Sequence, residues 1–144
     1  QEISSSLHYF FSAFLRGKPC RVYHAPFDDR LTRNGKDTVV QPDISIISDE
    51  NKLDEQGCNG SPDIVVEILS PGNSRKERKE KFVLYEENAI PEYWMVEPAE
   101  EFVTVYSLST EGQYVGSNPF VAGETITSQA LSGFVVEVSE IFAE

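Results

Sequence analysis

The feature that most constrains the fold is an apolar run at residues 64–69, which lies between Pro62 and Pro71 and is interrupted only by Glu67. A short, continuous apolar run that is rich in Val and Ile is typical of a strand buried inside a sheet. An unpaired carboxylate is costly in such a place, because burial removes its hydration. We therefore predict a central strand here and expect Glu67 to have a compensating partner.

The segments around this strand predict an α/β fold with a mixed central sheet. In chain order we predict a helix at 4–18, strands at 20–32, 38–48 and 61–70, a helix at 75–88, strands at 90–98 and 101–109, and a β-rich tail. Asn34 and Gly35 predict a hairpin turn, residues 49–60 a polar loop, and Asn73 or Ser74 a cap for the second helix. A helix that joins two neighbouring strands requires at least one parallel pair.

Composition limits the class of protein and its partners. The 144 residues suffice for one hydrophobic core, so we treat residues 1–144 as a single domain. Because the chain begins at Gln1, we expect an upstream segment to be missing from it. No apolar stretch is long enough for a membrane helix, so we expect a cytoplasmic protein. The net charge of −12 argues against a general polyanion-binding surface. His8 and His24 look isolated and are not expected to be ligands.

Two carboxylates are candidates for chemistry. Side chains alternate along a strand, so Asp63, Glu67 and Leu69 share one face of theirs, while Asp43 lies on the preceding strand. If those two strands are close in the sheet, Asp43 and Glu67 converge. Two carboxylates held together outside bulk water repel each other unless a cation lies between them. Oxygen ligands suit Mg²⁺ or Mn²⁺, so we predict a divalent-metal site.

Each candidate also has a purely structural explanation. Asp63 could cap a turn, and Glu67 could pair with a nearby Lys or Arg. Glu77, Lys81 and Tyr85 share one face of the second helix, from which Lys81 could reach the carboxylates. Equally, Glu77 and Lys81 could form an ordinary surface pair.

Longer motifs make the chain resemble a known family. The segments QPDISII and PDIVVEILSPGNSRKERKEKFVLYEENAIPEYWMVEP, with GKPCRVYHAPFDDRL and GETITSQALSGFVVEV, are similar to the Uma-two family of restriction endonucleases, within the PD-(D/E)xK nuclease superfamily. The similarity spans nearly the whole chain. It implies a restriction endonuclease-like αβββαβ core with a mixed central sheet and a β-rich C-terminal extension.

The resemblance also implies roles for individual residues. Asp43 and Glu67 would hold Mg²⁺ or Mn²⁺ together with the backbone carbonyl of Ile68. The superfamily's commonest form has a lysine two residues after the glutamate, a position that Leu69 occupies here. In the resembling family a helical lysine takes that place, and the matching position is Lys81.

Three functions from different classes are open. The first is a Mg²⁺-dependent endonuclease that hydrolyses DNA, with Asp43, Glu67 and Lys81 as catalytic residues. Four cations of the second helix are candidates for weak, salt-sensitive phosphate contacts: Arg75, Lys76, Arg78 and Lys79. The alternative is an inactive nuclease-fold binding or assembly module, favoured by the net charge, by Leu69, and by Glu77 where the family often has Asp. A sugar hydrolase with Asp43 and Glu67 as an acid/base pair ranks last, because no aromatic platform is arranged for a sugar.

The aromatic residues and the C-terminal tail are expected to have mainly structural roles. Tyr85, Tyr93 and Trp94 are expected mainly in the core, with Tyr85 a possible supporting residue of the site. The C-terminal β segment is expected to cover a sheet edge or to pair with a second subunit, which makes a homodimer plausible.

Overall fold

The computed structural model describes residues 2–143 as an α/β protein with three sheets. The helices are α1 (Glu2–Leu15), α2 (Arg75–Glu87) and α3 (Val138–Phe142), and a 3-10 turn lies at Glu50–Lys52. The strands are β1 (Arg21–His24), β2 (Asp29–Arg33), β3 (Lys36–Val40), β4 (Ile44–Ile47), β5 (Leu53–Asp54), β6 (Gly57–Asn59), β7 (Ile64–Ile68), β8 (Glu92–Glu97), β9 (Phe102–Leu108), β10 (Tyr114–Gly116), β11 (Thr125–Thr127) and β12 (Val135–Glu137).

The main sheet has the strand order β1-β4-β7-β8-β9-β10. β7 is central, antiparallel to β4 and parallel to β8. The parallel pair is joined by α2, as the predicted helix crossover requires. Taken in chain order, α1, β1, β4, β7, α2 and β8 form the αβββαβ core, so the predicted fold class is confirmed.

A second, four-stranded sheet with the order β3-β2-β6-β5 corrects three sequence predictions. The strands predicted at 20–32 and 38–48 are each divided between the two sheets, and each break contains a proline, Pro26 or Pro42. Proline has no N–H to donate, so a continuous central strand is not possible there. Residues 49–60, predicted as an irregular loop, contain β5 and β6.

The hairpin between β2 and β3 turns at Asn34 and Gly35, as predicted. Both residues have a positive φ, 52° and 75°, which is the backbone that this turn type requires.

The main sheet separates two apolar clusters. On the α1 face, Phe11 packs with Trp94 and Phe134, whose ring centroids lie 5.4 and 4.4 Å from that of Phe11. This face of the central strands carries Ile44, Ile46, Ile64 and Val66. On the α2 face, Val65 and Tyr93 pack with Tyr85. The face that carries α2 is also the face on which Glu67 lies, because Glu67 and Val65 are two residues apart in one strand.

The C-terminal residues form β11, β12 and α3, which pack against α1 and complete the α1-side cluster. Glu92, a buried carboxylate at the start of β8, holds the segment that follows β11. It accepts hydrogen bonds from Trp94 Nε1, Ser128 Oγ and the backbone N–H groups of Gln129 and Ala130, at 2.7 to 3.1 Å. Among residues 2–143, no helix is long and apolar enough to cross a bilayer.

Candidate active site

Asp43 and Glu67 lie opposite each other on neighbouring strands. The antiparallel register pairs Ile44 with Val66 and Ser45 with Val65, and one further step places Asp43 beside Glu67. Asp43 precedes the first residue of β4, and its Oδ2 accepts a hydrogen bond of 2.7 Å from the backbone N–H of Ile68. This contact fixes the carboxylate of Asp43 against the end of β7.

Glu67 is 6% exposed, and two side chains of α2 compensate for its burial. Its Oε2 accepts a hydrogen bond from the hydroxyl of Tyr85 and lies 3.2 Å from Nζ of Lys81. Burial nevertheless raises the pKa of Glu67; the hydroxyl of Tyr85 and the charge of Lys81 act in the opposite direction, while the charge of Asp43 adds to the increase. Burial also raises the pKa of Tyr85, which keeps its hydroxyl protonated and therefore a donor.

The first turn of α2 positions Lys81. Ser74 is the N-cap, and its hydroxyl accepts from the N–H of Glu77 at 3.1 Å while the carboxylate of Glu77 accepts from Ser74. This capping box occupies Glu77, so the ordinary surface pair of Glu77 with Lys81 is not the arrangement that the structure has. Lys81 instead pairs with Glu67, and its side chain is 45% exposed.

The two carboxylates open into one cleft of about 310 Å³. It is lined by residues of the β4 and β7 ends, of the following turn and of α2: Gln41, Asp43, Glu67, Ile68, Leu69, Ser70, Asn73, Glu77, Arg78, Lys81 and Tyr93. Leu69 is 9% exposed and supplies no amine, so Lys81 is the nearest group that could take the role of the usual strand lysine.

The donors in the cleft fit a hard divalent cation. Among the described residues, Oδ1 of Asp43 and Oε1 of Glu67 accept no hydrogen bond, and Oε1 of Glu67 is not sealed from solvent. Within residues 2–143 there is no cluster of three or more His, Cys, Asp or Glu side chains that could hold a metal. The carboxylates of Asp43 and Glu67 and the carbonyl of Ile68 would leave the remaining coordination positions of the ion to water or substrate, and Mg²⁺ commonly binds to such a set of ligands.

The four cations predicted to contact substrate lie on different sides of α2, and not all of them line the cleft. Arg78 lines the cleft, whereas Lys79 lines a separate groove between α2 and β3. Arg75 and Lys76 are exposed on the first turn of α2. Arg78 is therefore the one of the four that is best placed to reach a phosphate at the carboxylates.

Asp63 lies away from this group. It immediately precedes β7, at the end opposite Glu67, and its Oδ2 accepts from the N–H and hydroxyl of Ser48 at 2.6 and 2.8 Å. These contacts hold the residue that follows β4 and do not cap a turn at the start of β7, so Asp63 has a structural role, and its predicted supporting role at the site has no geometric basis. The description of His8 and His24 as isolated was wrong, since their ring centroids lie 4.9 Å apart where α1 meets β1.

Sequence reasoning missed Asp29, a fully buried carboxylate on β2. Its Oδ2 accepts from the hydroxyl of Ser45, while Oδ1 has no partner within residues 2–143. Burial raises the pKa of Asp29 to about 7. Nothing in the sequence distinguishes Asp29 from its neighbour Asp28, because strand pairing alone determines which of them points inward.

Comparison with known proteins identifies a family and a similar solved structure. The model of the family described as "Putative restriction endonuclease" (Uma2) matches residues 1–139. A crystal structure described as "a putative nuclease belonging to DUF820", from Anabaena variabilis ATCC 29413, superposes with a TM-score of 0.71 at 20% identity, covering 98% of this chain and 78% of that chain. At this identity the likeness establishes the fold alone. No curated protein matches the chain.

Proposed function

The chain belongs to the Uma2 family of restriction endonuclease-like proteins, and on this premise we propose that it is a Mg²⁺-dependent nuclease that hydrolyses phosphodiester bonds in DNA. One observation carries the proposal. Asp43 and Glu67 stand opposite each other on adjacent strands, each with one carboxylate oxygen that accepts no hydrogen bond within residues 2–143, and the amine of Lys81 lies beside Glu67. Family membership supports a nuclease in general, while the metal and the DNA substrate belong to the proposal.

The residues that would hold Mg²⁺, or Mn²⁺, are Asp43, Glu67 and the carbonyl of Ile68. When bound, such a cation acidifies a water and polarises the scissile phosphate. Two carboxylates that converge in a shielded cleft repel each other, and a divalent cation bound between them would offset the repulsion that the contacts of Glu67 with Lys81 and Tyr85 leave.

The protein's own groups orient the reactants. Lys81 is half-exposed above Glu67, so its ammonium can hold a water for attack or neutralise charge that develops on the phosphate. Tyr85 donates to one oxygen of Glu67, and the other oxygen accepts no hydrogen bond from the described residues, so it is available to a cation. Arg78, on the wall of the cleft, is placed to contact a phosphate oxygen.

The net charge of −12 favours the alternative, a binding or assembly module without turnover. Against it stands the pairing of Lys81 with Glu67, which supplies the amine that Leu69 lacks. For the nuclease, the same charge implies weak DNA binding that salt weakens further. A cytoplasmic location and a homodimer are further proposals; light scattering at several protein concentrations tests the dimer.

The test is cleavage of plasmid and oligonucleotide DNA with Mg²⁺, Mn²⁺ or EDTA. We expect cleavage that requires metal and is abolished in Glu67→Gln and Asp43→Asn. The control is Arg16→Gln, purified in the same way, which removes an exposed charge next to α1 on the other face of the sheet. Metal-dependent cleavage that is equal in all four proteins would refute the roles of Asp43 and Glu67. Mn²⁺ binding without any cleavage would refute the nuclease activity and favour the binding module.

A further inference from the structure

A second cavity, of about 850 Å³, adjoins the candidate active site. The two share six lining residues, so they form one continuous space: Asp43, Ile68, Leu69, Ser70, Asn73 and Arg78. Beyond these, the second cavity extends between the first turn of α1 and the turn that follows β8. We infer that this cavity receives an unpaired nucleobase, so that the substrate is single-stranded or locally unpaired DNA; the inference rests on the proposed nuclease function.

The walls of the cavity suit a base better than a second phosphate. Ile3, Pro71, Pro98 and Ala99 present apolar surface, against which the face of a base can pack. The carboxylate of Glu97 also lines the cavity and is oriented by the N–H of Ala99 at 3.0 Å. A carboxylate repels phosphate, yet it accepts hydrogen bonds from the amino and imino groups on the edge of a base.

The volume of the second cavity and its position beside Asp43 suit an unpaired nucleobase. The volume lies within the range of about 300–1,000 Å³ that is usual for small-molecule sites, which is ample for one nucleoside. A scissile phosphate at Asp43 would place the adjoining nucleoside within the shared lining. In a duplex that base is stacked and paired, so it can enter a cavity only after it leaves the stack.

The distribution of charge favours one strand over two. Residues 82–144 contain no Lys or Arg, and Arg78 and Lys81 are the two cations among the described residues that line the cleft and the cavity. Proteins that follow a duplex usually neutralise many phosphates with basic residues. Two cations can neutralise only a short stretch of one backbone, and the apolar cavity beside them is large enough to hold a base.

The experiment compares ligands and variants by fluorescence anisotropy in Ca²⁺ and by cleavage in Mg²⁺. The ligands are one DNA sequence as a single strand, a duplex and a duplex with a two-base mismatch, together with an abasic strand of equal length. Ala99→Trp fills the cavity mouth from an exposed turn position, and Ala122→Trp makes the same change at an exposed position in another turn.

We expect wild type to bind and cut the single strand and the mismatched duplex about tenfold better than the perfect duplex, and to bind the abasic strand about tenfold more weakly than the normal strand. Ala99→Trp is expected to lose the preference for unpaired DNA, with unchanged melting temperature and Mn²⁺ affinity, while Ala122→Trp keeps it.

Equal affinity for normal and abasic strands, or equal behaviour of both tryptophan variants, would overturn the base site and leave the nuclease proposal intact. Base-dependent binding that Ala99→Trp abolishes, without cleavage by wild type, would support the cavity and refute the nuclease. If wild type binds no single strand, the inference is overturned.

Discussion

Replacing Tyr85 by phenylalanine removes a single hydroxyl from the floor of the site. Tyr85 is fully buried, and its hydroxyl donates to Glu67, which is 6% exposed. The ring remains, so the packing against Val65 and Tyr93 is kept. The perturbation therefore isolates one hydrogen bond to a buried carboxylate.

The magnitude follows from the partners that remain. A hydrogen bond to a charged group contributes about 1.5–3 kcal/mol to stability. The ion pair with Lys81 is 45% exposed on the lysine side, so it contributes only about 0–1 kcal/mol and cannot replace the lost bond. We expect Tyr85→Phe to lower the free energy of unfolding by about 1.5–3 kcal/mol at pH 8.

The loss should depend on pH with a definite sign. Burial already raises the pKa of Glu67, and the hydroxyl of Tyr85 opposes that increase. Without the hydroxyl the folded-state pKa rises further, so the variant pays a larger penalty wherever Glu67 is ionised in wild type. The difference is smallest below the ordinary glutamate pKa, where both folded and unfolded states are protonated, and it grows as pH rises through the folded-state pKa.

Urea unfolding of both proteins at several values between pH 4 and pH 8 measures this. Tyr106→Phe is the matched control, because Tyr106 lies in the same aromatic cluster and its hydroxyl has no hydrogen-bond partner among the described residues. A loss of stability in Tyr85→Phe that is no larger than in Tyr106→Phe, or one that is constant with pH, would show that the hydroxyl of Tyr85 does not stabilise the ionised form of Glu67.

Three further predictions concern other residues. Glu92→Gln should lower the free energy of unfolding by about 3 kcal/mol or more, because the buried carboxylate accepts four hydrogen bonds and the NH₂ group of glutamine would face two of the same donors. Urea unfolding measures this loss, and a value below about 1 kcal/mol would contradict the prediction. Burial raises the pKa of Asp29 to about 7, so wild type binds a proton on folding and loses stability as pH rises from about 4 to 7. Asp29→Asn should remove this loss and be the more stable protein at pH 8, and melting curves that keep the wild-type pH dependence would contradict it. Lys81→Gln should change the free energy of unfolding by less than about 1 kcal/mol, since the ion pair of Lys81 with Glu67 is half-exposed on the lysine side. The same substitution should reduce kcat for DNA cleavage about 100-fold or more, and a reduction below about tenfold would remove Lys81 from the proposed mechanism.

The parallel pair at the centre of the main sheet could be predicted because its local signals agree. The apolar run of β7, the capped cationic helix α2 and the apolar strand β8 together require a parallel pair. The second sheet could not be predicted, since β5 and β6 have only two and three residues and little apolar periodicity. β6 pairs with β2 and β5 joins the sheet through β6, and the pairing of β6 with β2 is a long-range contact that no local pattern encodes.

In the candidate site, too, local patterns predicted some features, while others depend on long-range packing. Strand alternation placed Asp43 and Glu67 on faces that could converge, and the register brings them together. The spacing of four residues placed Lys81 and Tyr85 on one helix face, but only the packing of α2 on the sheet shows that both reach the same oxygen of Glu67. The cavity beside the site escaped prediction entirely, because Ile3, Pro71 and Pro98 come from three distant parts of the chain.

Anomalous diffraction from a crystal soaked in Mn²⁺ shows whether Asp43 and Glu67 share a divalent cation. We expect one strong peak about 2 Å from an oxygen of each carboxylate and from the carbonyl of Ile68. The peak should vanish in Glu67→Gln. Ordered density for both side chains with no peak between them at millimolar Mn²⁺, or a peak that survives that substitution, would contradict it.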